Sequence, residues 1–135
     1  MKNKIIVVAA AIIKDHHLLV ARRAPHLKQG GLWELPGGKV EVNETKESAL
    51  VREISEELNL VPKLLGCVAE SLVQVNDRWI QMSVYHCTVN DLSGLQHPDH
   101  SAIKWVNEYD LFDLDWAPAD VPILGDLCKL VKKQL

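Results

Sequence analysis

Three glutamates crowd together in the middle of the chain: Glu53, Glu56 and Glu57. In a helix each residue turns about 100°, so positions i, i+3 and i+4 share one face. Three carboxylates stacked there repel, each like-charge i,i+4 contact costing roughly 0.2–0.5 kcal/mol. A hard divalent cation that takes oxygen ligands would offset the repulsion; Mg²⁺ is the natural candidate, and Mn²⁺ could replace it. An ion at this place could neutralise charge on a bound anion and acidify a water. A carboxylate must also accept the water's proton, and Glu53 is the first candidate.

The elements that must position these acids can be read around them. Asn43 or Thr45 is suited to cap the helix, with Glu44 and Glu47 at the positive end of its dipole. Leu50, Ile54 and Leu58 repeat at i, i+4 and i+8, giving a core-facing stripe about a quarter-turn from the acids. Asn59 follows, tolerating the left-handed conformation that ends helices second only to glycine. Ahead of the helix, residues 26–38 read as a loop rich in glycine and proline, holding Trp33 and ending in Gly37 and Gly38. Loops of this kind carry function more often than scaffold.

Residues 5–13 form a continuous apolar, β-branched run, as a central strand covered on both faces requires. A polar turn at 14–17 leads to a returning strand, 18–23, that ends in Arg22 and Arg23. Apolar runs at 64–75 and 80–89 flank a turn at 75–78 and read as an antiparallel pair. A polar loop over 90–100 carries Asp99, and 102–106 is a short last strand. Asn107 caps a brief helix through Leu111 and Phe112. Pro118, Ala119 and Asp120 then open an amphipathic helix containing Val121, Leu124, Leu127 and Leu130. The expectation is one mixed α/β domain over residues 1–135.

Composition narrows the function. At 47% hydrophobic and 24% charged the chain is globular. A net charge of −3 leaves no basic footprint for a nucleic-acid polymer, though local arginines can still hold a small anion. Cys67, Cys87 and Cys128 are odd in number and widely spaced, which favours reduced thiols over a disulfide frame or a zinc site. The charged start followed by 5–13 imitates a signal peptide, but nine apolar residues are too few to span a bilayer. A cytoplasmic protein with no membrane partner is expected, as a monomer or small homo-oligomer. The six histidines show no ligand spacing and are assigned surface or core roles.

Gly38, five residues, Glu44, seven residues, then Arg52-Glu53-Ile54-Ser55-Glu56-Glu57-Leu58-Asn59-Leu60 resembles the Nudix box. Every defining position matches except the last glycine, where Asn59 stands. The resemblance implies an α/β/α sandwich around a mixed β-sheet, and Mg²⁺-dependent cleavage of a nucleoside triphosphate to monophosphate and pyrophosphate. It implies Glu53, Glu56 and Glu57 as metal ligands, with a carbonyl from Gly37 or Gly38. Arg52 would orient the carboxylates, and Glu44 would stabilise the box or hold an outer-shell water. Asp99 lies where many relatives carry a glutamate as an extra ligand or base; an ordinary loop aspartate is the alternative.

Outside the box the chain is similar to the MutT-like branch, through 18–23, through Gly31-Leu32-Trp33-Glu34-Leu35-Pro36-Gly37-Gly38, and through the tail 117–122. That similarity implies Arg23 as a phosphate contact, and Glu34, Leu35, Arg78 and Asp120 around the base. Trp33 either stacks on the base or anchors its loop in the core. Asp120 matches an asparagine that reads oxidised guanine in MutT, whereas the CTP pyrophosphohydrolase branch carries an aspartate; a helix cap is its bland alternative. The expected substrates are oxidised dNTPs such as 8-oxo-dGTP, or alternatively CTP and 5-modified dCTP. A non-catalytic nucleotide sensor would lack a box acid, and none is missing.

Overall fold

The structure, a computed structural model, describes residues 4–133; the first three positions of the charged N-terminal segment lie outside the described residues. Strand β1, Lys4–Lys14, is its axis. Val8, Ala10 and Ile12 pack with Leu50, Ile54 and Leu58 of helix α1, Lys46–Leu58, on one face. Ala9, Ala11 and Ile13 pack with Leu127 and Val131 of helix α2, Leu124–Lys133, on the other. The unbroken apolar run thus has period-two alternation between two cores, each fully buried large aliphatic contributing roughly 1.5–3 kcal/mol. The result is the expected α/β/α sandwich around a mixed sheet.

A two-residue turn with Asp15 and His16 both at positive φ returns β1 into β2, His17–Arg23. These strands pair only at Ile13–Leu18 and Lys14–His17 and then diverge. Two short strands, β3 (Trp33–Glu34) and β4 (Gly37–Lys39), fill the opening; β3 pairs with β2 and β4 with β1. This corrects the expectation of a loop over 26–38, because two- and three-residue strands leave no periodic signal. Beyond β1, the parallel neighbour is β6, Arg78–Thr88, and β6 pairs antiparallel with the edge strand β5, Lys63–Val75. Strand β7, His100–Val106, pairs with β2 and begins two residues earlier than the apolar run suggested.

The brief helix after Asn107 is a 3₁₀ turn, Asp110–Asp113, capped by the Asn107 carboxamide, which accepts from the N–H groups of Tyr109 and Asp110. A second 3₁₀ turn, Val121–Ile123, precedes α2. Its cap position is Asp120, whose side chain makes no capping bond, so the cap alternative for Asp120 is set aside. Among the described residues no helix is long and apolar enough to cross a membrane.

Candidate active site

Local sequence places α1 firmly. Thr45 caps it: its Oγ1 accepts from the Ser48 N–H at 3.0 Å, while Ser48 Oγ accepts from the Thr45 N–H at 3.1 Å. At the other end Asn59 adopts φ 55°, ψ 42°, and its N–H bonds to Ser55 O, so asparagine does the work of the missing glycine. Between these ends, Arg52 gathers the acids. Its Nε donates to Glu44 at 2.7 Å, its Nη1 to Glu53 at 2.9 Å and to Glu56 at 3.3 Å, and its Nη2 to the Lys39 carbonyl at 3.1 Å. The guanidinium holds the Glu44 carboxyl down at about 2. Arg52 therefore ties the helix to strand β4 and fixes Glu53.

Glu53 and Glu57 line a cavity of about 660 Å³ in the gap where β1 and β2 diverge. That is room for a nucleotide-sized ligand. Burial pushes the Glu57 carboxyl up to about 7, against the pull of His100. Burial raises Glu53 too, although Arg52 opposes it. Two half-buried carboxylates therefore share the wall, each disfavoured in its charged form chiefly by lost solvation. Gly37 donates its N–H to Glu57 Oε2 at 3.2 Å, and a Cβ on Gly38 would collide with the Glu53 carboxylate. Glycine keeps the space beside Glu53 clear.

Glu56 departs from the expected trio. Its side chain is 60% exposed, turned to Arg52 and off the cavity wall. Among the described residues no three His, Cys, Asp or Glu side chains gather closely enough to enclose an ion by themselves. The set that remains is two carboxylates, glycine backbone and open space. It suits an ion of the Mg²⁺ kind, which keeps waters and binds through one or two carboxylates plus substrate phosphates. When bound, such an ion neutralises phosphate charge and acidifies water.

The rest of the wall comes from distant segments. Trp33 N–H donates to Asp115 O at 2.8 Å and Ala117 N–H to Trp33 O at 2.7 Å, which lays the 115–120 segment against β3. Asp120 is thereby buried, 4% exposed, with Oδ2 accepting the Leu35 N–H at 2.9 Å. Burial pushes its carboxyl up to about 7. Arg23, Glu34, Leu35, Arg78 and Asp120 all line the cavity. So do Lys28 and the Asn76-Asp77 turn, which carry no sequence signal beyond lying in a loop and a hairpin tip.

Two expected residues are elsewhere. Trp33 is 7% exposed in the α2-side core, its ring flanked by the Arg22 guanidinium at 5.6 Å and the Lys104 ammonium at 5.2 Å. It pairs with Arg22 on the face opposite Glu34, so it anchors its segment and does not reach the cavity. Asp99 is exposed and off the cavity. Its neighbour His100, assigned no site role from sequence, is buried instead, with Nε2 3.3 Å from Glu34 Oε2. The one-residue difference decides it, because β7 starts at His100 and turns that side chain inward.

A mixed sheet holding two half-buried carboxylates beside a nucleotide-sized cavity, with arginines in its lining, suits cation-assisted hydrolysis of a phosphorylated ligand. The model of the NUDIX domain family matches residues 3–127, and the chain belongs to the Nudix hydrolase family. It is 40% identical over 119 residues to a CTP pyrophosphohydrolase of Escherichia coli, covering 87% of each chain. It is 36% identical over 127 residues to a putative 8-oxo-dGTP diphosphatase of Mycobacterium tuberculosis, covering 92% of this chain and 88% of that one. The solution structure of the E. coli ORF135 protein superposes with a TM-score of 0.81 at 38% identity, over 95% of this chain and 91% of that one. The protein is thus a Nudix hydrolase, similar to relatives that are named for cleaving nucleotides, and Nudix hydrolases use divalent cations.

Proposed function

We propose that the protein is a Mg²⁺-dependent nucleoside triphosphate pyrophosphohydrolase, releasing nucleoside monophosphate and pyrophosphate, that clears oxidised dNTPs such as 8-oxo-dGTP from the nucleotide pool. The observation that carries it is Asp120. One oxygen of its buried carboxylate is committed to the Leu35 N–H, which leaves the other for a ligand in the cavity. An ionised carboxylate only accepts hydrogen bonds. Position 7 of guanine is an acceptor, but in 8-oxoguanine it carries a hydrogen, so Asp120 favours the oxidised base. In this reading Arg23 binds phosphate, Glu53 and Glu57 hold the cation, Arg52 aims Glu53, and Glu53 accepts the proton of the attacking water. Arg78 closes over the base from the hairpin tip.

The same chemistry supports a second reading. Cytosine offers an exocyclic amine where uracil has a carbonyl, and the 40%-identical relative is a CTP pyrophosphohydrolase. Steady-state rates on 8-oxo-dGTP, dGTP, CTP, UTP and 5-substituted dCTP decide between them. The first reading predicts the highest kcat/KM on 8-oxo-dGTP; a clear lead for CTP or the modified dCTP replaces it with the second. Equal rates on dGTP and 8-oxo-dGTP, with equal rates on CTP and UTP, would sink the role of Asp120 in both.

A further inference from the structure

His100 is an internal histidine with only half of its polar capacity used. Its side chain is 3% exposed, its Nε2 lies 3.3 Å from Glu34 Oε2, and its Nδ1 is buried with no hydrogen-bond partner among the described residues. Leaving a buried polar nitrogen unpaired costs about 1–3 kcal/mol. A histidine serving only to fill this space is therefore a poor choice, and the Nε2 contact is the feature that the position secures.

Strand register shows what that contact does. His100 stands opposite Arg23 across the β7–β2 pair, beside a bulge at Arg22–Arg23. Glu34 stands opposite Ala21 on the other edge of β2. Ala21, Arg23, Glu34 and His100 consequently share one face of the sheet, with only the small Ala21 side chain between the two edges. Arg23 Nη1 lies 3.5 Å from the same Glu34 oxygen, and its Nε donates to Lys28 O at 2.7 Å. Arg23 Nη2 is left without a protein partner among the described residues, at the cavity wall. The backbone of His100 is itself held: its N–H donates to His97 O at 3.2 Å, and the His97 ring bonds its carbonyl at 3.1 Å.

We infer that His100 is a positioning residue for substrate phosphate: it fixes Glu34, and Glu34 fixes Arg23 so that the free amine of the guanidinium meets the phosphate. The inference rests on Arg23 as phosphate ligand in the reading proposed above. In a loop as rich in turns as 24–32, a guanidinium without this brace would sample many orientations, and substrate binding would suffer more than the chemical step.

The test compares His100→Gln with His100→Asn in steady-state kinetics on whichever triphosphate is turned over best. Glutamine puts its amide N–H near the place of Nε2, asparagine near that of Nδ1. The Gln variant should keep KM within about threefold of the parent, while Asn and His100→Ala raise it about tenfold at nearly constant kcat. In a double-mutant cycle, His100→Ala added to Glu34→Ala should raise KM no further. Equal behaviour of the Gln and Asn variants, a loss confined to kcat, or full multiplication of the two effects in the cycle would each overturn the inference. Arg23→Ala is the separate control on the underlying reading. If it leaves KM unchanged, the phosphate assignment fails even where His100 and Glu34 prove coupled.

Discussion

At the scale of single residues, Asp120 places function and stability in opposition. Its carboxyl ionises near 7 in the fold against 3.8 when free. The native state therefore binds a proton more tightly than the unfolded chain, and stability from this group falls as pH rises from about 4 and levels off above about 7. The full effect is on the order of 4 kcal/mol. Asp120→Asn removes the charge, so it should raise the melting temperature at pH 8 and change it little at pH 4, as a pH series of thermal melts will show. In the proposed function the same titration would set selectivity: an ionised Asp120 would accept from an oxidised guanine, whereas a protonated one would donate to unmodified guanine. The ratio of kcat/KM for 8-oxo-dGTP over dGTP is therefore expected to climb through pH 7 in the parent and to stay flat in Asp120→Asn. Gly38 makes a second residue-scale point. Any Cβ there meets the Glu53 carboxylate, so Gly38→Ala should fold but lose about 10²-fold in kcat/KM, since a misplaced catalytic group costs that much.

At the scale of elements, the helix was the most legible part of the chain. Its caps, apolar stripe and acids all follow from a 3.6-residue period, and Thr45, Asn59 and the Leu50–Ile54–Leu58 stripe stand where that period puts them. Thr45→Ala should cost about 1 kcal/mol in chemical denaturation. Asn59→Ala should cost at least as much, because alanine resists φ 55° and the bond from Asn59 Nδ2 to Gly94 O at 3.0 Å is lost. The short strands β3 and β4 were not legible, since their pairing is set by the divergence of β1 from β2 and not by their own pattern. Parity explains where Trp33 and Asp99 stand. Side chains alternate across a strand, so adjacent residues face opposite sides; Trp33 turns into the core while Glu34 turns to the cavity, and His100 turns in while Asp99 does not. Glu56 is a rotational case: it shares the helix face on paper, but Arg52 draws it outward.

At the scale of the whole molecule, the box and its flanks announced the architecture, while the cavity depended on contacts far apart in sequence. Asp120 reaches Leu35 across 85 positions and His100 reaches Glu34 across 66, distances over which a single sequence carries no pattern. The assembled wall leaves the half-buried carboxylates Glu53 and Glu57 poorly solvated, so the fold should gain stability from a bound ion. Chelator-treated protein is expected to melt higher on adding Mg²⁺, and Glu57→Gln to lose most of that rise. In the proposed function Glu53 and Glu57 hold a cation for splitting a triphosphate into monophosphate and pyrophosphate. Phosphorus-31 NMR of the turnover products tests it most directly, in Mg²⁺, in excess chelator, and with Glu57→Gln. Nucleoside monophosphate and pyrophosphate are expected in Mg²⁺ alone, with a loss in Glu57→Gln beyond the roughly 10–100-fold that an outer-shell partner costs. Nucleoside diphosphate with orthophosphate as products, or undiminished turnover in chelator or in Glu57→Gln, would contradict it.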